Sequence, residues 1–263
     1  MTTDTQQIEA RQIDRADLIE YLLRLGDNSM ILGQRLCEWC GHGPILEEDI
    51  ALSNVALDLI GQARLIYTHA GEVEGKGRTE DDIAFLRDVF DWKNLHLVEQ
   101  PNGDFADTMA RQFMIDCYNV ELFSALTKSA DDQLAAIAAK TLKEVTYHRR
   151  HSGEWVIRLG DGTDESHRRI QDAFDRHWMF VEELFESDDL DARIVAAGIG
   201  PDPKSLRPAW DAMVDRVLAE ATLTRPTADF PRSGGRKGEH SEYLGYILAE
   251  MQFMQRAYPG MDW

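Results

Sequence analysis

Apolar positions before residue 40 step by threes and fours. Leu18, Leu22, Leu25, Ser29, Leu32, Leu36 and Cys40 fall on one side of a helix. The run is then broken by Gly41, Gly43 and Pro44, residues that leave or cannot continue a helix. It restarts at Leu52, Val55, Leu59, Ala63 and Ile66 and should fade near Gly71. So short a connection makes the two helices antiparallel neighbours. A charged, Gly-containing loop follows, and the segment from Asp82 to about Val98 reads as one helix ending before the Pro101-Asn102-Gly103 turn. Asp104 is placed to cap a helix carrying Phe105, Met109, Phe113, Cys117, Val120 and Phe123.

Asp131 or Asp132 starts the next long helix. Its stripe is Leu134, Ile137, Thr141, Val145, His148, Ser152 and Trp155, and it stops at Gly160-Asp161-Gly162. A fifth helix follows Thr163, with Ile170, Phe174, His177, Val181 and Leu184 on one side. The acidic run from Glu186 to Asp191 reads as a loop or a short helix edge. Asp202-Pro203 opens a helix to about Ala221, a Gly- and Pro-rich segment follows, and a last helix spans about His240 to Ala257. No period-two run of β-branched residues lies between turn dipeptides. The pattern predicts an all-α chain in which four long helices form a bundle core and further helices flank it. Residues 1–14 read as a frayed tail and 15–263 as a single domain.

Composition narrows the function. The 263 residues carry a formal net charge of −19, which argues against nucleic acid or an anionic membrane as partner. No apolar run approaches the length of a membrane span. Three cysteines do not make a disulfide framework and favour a reducing, cytoplasmic setting. Cys37 and Cys40 form a C-x-x-C with no second pair, and small apolar side chains at a helix seam are the expected reading.

Bundles of this length often hold two metal ions on a Glu from each of two helices and a Glu-x-x-His from each of the others. No Glu lies three residues before any of the eight histidines; Asp164-x-x-His167 comes nearest, in a turn. The corresponding positions stay partly polar. Asp58, Asp116, Glu144 and His148 are the candidates, as an internal network pairing with one another or with Arg35, Arg64 or Arg111, or alternatively as an atypical carboxylate/His metal site. Gly234-Gly235-Arg236-Lys237-Gly238 is a basic loop in an acidic chain. Its backbone N–H groups with Arg236 and Lys237 suit a phosphate or an acidic partner surface, and a solvated connection is the plainer reading.

Four stretches, Leu23–Arg64 (LRLGDNSMILGQRLCEWCGHGPILEEDIALSNVALDLIGQAR), Asn94–Phe123, Lys143–Ser166 and Gly234–Gly260, closely resemble the C subunits of bacterial ring-1,2-phenylacetyl-CoA epoxidases. The resemblance covers nearly the whole chain in order. It implies a ferritin-like fold and membership of a complex that uses O2, and NADPH through a separate reductase, to epoxidise the ring of phenylacetyl-CoA in aerobic phenylacetate catabolism. It further implies that the di-iron centre belongs to the catalytic A subunit of the epoxidase, with which this chain pairs tightly. By the same resemblance this chain binds no metal or cofactor and its role is structural. The missing Glu-x-x-His agrees with that assignment. Arg236 and Lys237 are then candidates for the CoA phosphates at the interface. A free-standing acyl-CoA-binding helical protein is the remaining alternative.

Overall fold

The structure is a computed structural model and describes residues 13–261. The expected tail at 1–14 therefore lies, but for its last two residues, outside the described residues. Among the described residues there are eleven α-helices and no strand, so the all-α reading holds. Four helices are long, as the periodicity predicts: α1 (Arg15–Cys37), α2 (Leu46–Glu74), α5 (Phe105–Leu126) and α6 (Asp132–Gly160). The shorter ones are α3 (Glu80–Phe85), α4 (His96–Glu99), α7 (Asp164–His177), α8 (Asp189–Ala196), α9 (Pro203–Glu220), α10 (Glu242–Met251) and α11 (Phe253–Ala257). Two compact units emerge. One holds the residues up to Tyr21 with Ala106–Pro231, the other Leu22–Phe105 with residues 232–261.

In the first unit α5 is buried on every side from Thr108 to Val120, the mark of a central helix. Phe113 meets Phe174 of α7 edge to face at 6.4 Å. The Trp210 indole of α9 donates to the Met114 carbonyl at 2.8 Å, so a large ring is buried without orphaning its N–H. The surrounding helices start where local chemistry satisfies their first N–H groups. Asp131 accepts from the Leu134 N–H, Thr163 from Ser166, Asp188 from Asp191, and Asp202 from Lys204 with Pro203 at the first helical position. The acidic run near 188 is thus the cap of α8.

In the second unit α1 and α2 pack closely. A side chain at Gly33 would crowd Ile60, Ala56 and Leu59, and one at Gly26 would enter the Tyr67 ring. Gly41, at φ 79°, turns the chain between them. α2 runs to Glu74, past the expected fade, and ends on Gly75 in the left-handed conformation, its N–H on the Gly71 carbonyl. Cys37 and Cys40 depart from the seam reading. α1 stops at Cys37, and the turn carries both thiols to the surface. The expected helix from Asp82 to Val98 is also broken, into α3, a 3₁₀ turn (Val89–Asp91) and α4. The cause is competition for backbone donors. The Lys93 N–H goes to Asp27 Oδ2 at 2.7 Å and the Leu95 N–H to Asn28 Oδ1 at 2.8 Å, so side chains of α1 take what a helix needs. The final helix bends at Gln252, whose amide donates to the carbonyls of Ala84 and Arg87.

Candidate functional site

α5 presents Gln112 and Asp116 four residues apart, and α6 presents His148 and Ser152 at the same spacing. Asp116 is fully buried. Its Oδ1 accepts from Gln112 Nε2 at 2.8 Å and its Oδ2 from Ser152 Oγ at 2.8 Å. The Ser152 hydroxyl also lies 3.0 Å from the His148 carbonyl. Burial pushes the Asp116 carboxyl up to about 6, against the pull of the His148 ring and of the two hydrogen bonds. Among the described residues Gln112 Oε1 has no hydrogen-bond partner.

The sequence-derived cluster is only partly assembled here. Asp116 and His148 share this interior. Glu144 is half-buried and its carboxylate is 3.0 Å from Lys140 on the same helix. Asp58 stands half-buried on α2 in the other unit. Arg35 donates to the Glu99 carbonyl and to Glu38, and Arg64 to Glu80. Arg111 is buried on α5, and its charge joins burial in holding His177 down to about 4. Among the described residues no three His, Cys, Asp or Glu side chains converge as metal donors. A carboxylate occupied on both oxygens by an amide and a hydroxyl does not fit a carboxylate-bridged metal pair.

Two polar centres of the second unit escaped the sequence reading. Arg87 grips Asp27 with both terminal nitrogens, at 2.5 and 3.1 Å, while Tyr67 donates to the same carboxylate at 2.6 Å. The guanidinium lies 4.3 Å from the centre of the Trp92 ring. Burial, then the Asp27 charge, pushes the Tyr67 hydroxyl well above its ordinary value. The other centre is Glu99, fully buried in α4. It accepts from the Ser241 N–H at 2.7 Å and Asn94 Nδ2 at 3.0 Å, and lies 3.0 Å from His240 Nδ1. Burial raises its pKa, but the bonds from His240 and Ser241 outweigh burial and leave it below the ordinary range. A charged residue inside an apolar run, as in Leu95–Val98 before Glu99, was the available signal; nothing local named its partner.

In the Gly234–Gly238 loop, Arg236 is half-exposed and Lys237 exposed. The N–H groups of Lys237 and Glu239 donate to the Gly234 carbonyl, and that of Gly238 to Gly235. Those three backbone donors are spent within this segment.

Comparison with known proteins adds the family. The family model described as "Phenylacetic acid catabolic protein" matches residues 1–263. The C subunit of the 1,2-phenylacetyl-CoA epoxidase of Escherichia coli (strain K12) is 52% identical over 246 residues, covering 94% of this chain and 99% of that protein. With no helix among the described residues long and apolar enough to cross a membrane, and with an all-α, ferritin-like architecture built on four long helices, the chain belongs to the phenylacetic acid catabolic protein family.

Proposed function

We propose that this chain is the structural, non-catalytic subunit of a multicomponent phenylacetyl-CoA 1,2-epoxidase, packing on the di-iron A subunit of the enzyme and holding its helices in place. The observation that carries this is the near full-length match to a protein named as the C subunit of that enzyme. The donor set around Asp116 supports assigning the iron to the partner. In this reading O2 and NADPH act on the complex through the di-iron partner and a reductase, and this chain binds no cofactor of its own. A ligand-bearing bundle needs its helices held closely, and a second bundle packed on it supplies that support through a large apolar interface. α2 offers surface of that kind. Leu46, Ile50 and Leu57 lie on one side of the helix and are 71%, 53% and 65% exposed. Arg236 and Lys237 belong to the same proposal as contacts to the CoA phosphates.

The test is iron content and epoxidase activity of the chain alone and after co-expression with the di-iron partner. Both should be absent alone and present in the pair. Iron bound stoichiometrically by this chain alone would overturn the reading and make Asp116 and His148 the first candidates for its ligands. For the loop, substituting Arg236 and Lys237 by Ala should raise KM for phenylacetyl-CoA in the complex; an unchanged KM removes the loop from the substrate.

A further inference from the structure

A cleft of about 480 Å³ opens between α6 and α9 of the first unit. Its floor is apolar, made by Ile157, Met213 and Val217 with Phe113 beneath. Gly153 keeps that floor low, since a side chain there would stand 3.3 Å from the Phe113 ring. Tyr147, 43% exposed, forms one wall, with the Arg150 guanidinium 5.5 Å from its ring centre.

The walls are basic in a chain of net charge −19. Lys143, Arg149, Arg150 and Arg216 line the cleft against Glu154 and Glu220. Arg149 lies 3.4 Å from Glu121, and Glu154 is engaged with Arg158 at 3.7 Å. Lys143, Arg150 and Arg216 have no carboxylate within ion-pair distance among the described residues. Elsewhere in the unit Arg168, Arg176, Arg193, Arg207 and Arg225 each hold one. With carboxylates in such excess, three uncompensated cations around one apolar floor are poised for an anion from outside. Arginine pairs bidentately with phosphate oxygens, and a volume of several hundred Å³ suits a ligand of nucleotide size.

We infer that the α6–α9 cleft is a binding site for a nucleotide carrying two or more phosphates, its phosphates on Arg150, Arg216 and Lys143 and its base against Tyr147 and the apolar floor. This site lies on the chain itself and stands independently of the assembly proposed above.

Titration calorimetry of the full-length chain at low ionic strength tests it, with ADP, adenosine and inorganic pyrophosphate as probes. ADP should bind saturably and lose affinity as salt rises. Arg150→Ala with Arg216→Ala should weaken ADP by roughly tenfold or more. Both side chains are exposed, so melting temperature should hold, and Arg168→Ala outside the cleft should leave ADP binding unchanged. Adenosine and pyrophosphate should each bind more weakly than ADP, as halves of the ligand. Absence of saturable ADP binding, indifference to the double substitution, or pyrophosphate binding as tightly as ADP would each overturn the inference. None of these results bears on the iron and activity of the co-expressed pair.

Discussion

Asp116→Asn should make the chain more stable at neutral pH, with only about a third of that gain in mild acid at pH 4.5. The carboxyl titrates near 6 when folded, against an ordinary 3.8. An acid whose folded pKa is raised binds its proton in the native state where the unfolded chain has released it. Its contribution therefore favours folding below the unfolded value, is lost as pH rises from about 4 to about 6, and stays lost above. The full differential is about 3 kcal/mol. Asparagine mimics the protonated acid in shape and charge. Its oxygen still accepts from Ser152, and a turn of the Gln112 amide offers the partnerless Oε1 to the new N–H. Urea unfolding followed by circular dichroism at steps from pH 4.5 to 8 gives the variant-minus-parent difference, in which the chain's other titrations cancel. It should grow with pH by about 2 kcal/mol in favour of the variant, from about 1 kcal/mol at pH 4.5 to about 3 kcal/mol by pH 7.5. A pH-independent difference, or a variant weaker at pH 7.5 than at 4.5, would refute the account of Asp116 as a carboxyl whose charge burial opposes.

Other outcomes follow from the same packing. Arg87→Met strands the buried Asp27 carboxylate and should cost about 3–5 kcal/mol, part of it recovered when Asp27→Leu is added; equal losses in single and double variants by calorimetry would contradict the buried pair. Gly160→Ala runs a methyl into the Ala221 backbone and should lose about 1–3 kcal/mol. Gly61→Ala, mid-helix with open space around it, should gain about 0.5–1 kcal/mol in the isolated chain, and melting curves of the two variants separate these signs. A disulfide reagent should label Cys37 and Cys40 in the native protein but Cys117 only on unfolding, with Cys37 slowed because burial pushes its thiol up.

Helix termini were legible because their chemistry is local. Asp131, Thr163 and Asp202 cap the helices that their sequence positions announce. Periodicity likewise found the buried stripe of α6, from Leu134 through Ser152. It failed at 82–98 because Asp27 and Asn28, more than sixty residues away, take the backbone donors. It misjudged Cys37 and Cys40 because a helix ending three residues sooner changes which way its last side chains face. Asp116 and His148 were recognisable as polar residues on apolar faces. Glu99 was not, because the residues that make its environment, His240 and Ser241, come 141 and 142 positions later.

That separation governs how the chain can be born. The second unit is discontinuous, with residues 106–231 lying between its two segments. At about 5–20 residues per second, a ribosome makes His240 roughly 7–30 seconds after Glu99. Through that interval the nascent Glu99 carboxylate lacks the His240 ring and the Ser241 N–H that hold it in the finished protein. The first unit can close before translation ends, whereas the second waits for the last turns of the chain. A product stalled before His240 thus differs from the whole in a defined way: it lacks the ring and the N–H that let Glu99 be buried, so this corner of the second unit cannot close around it.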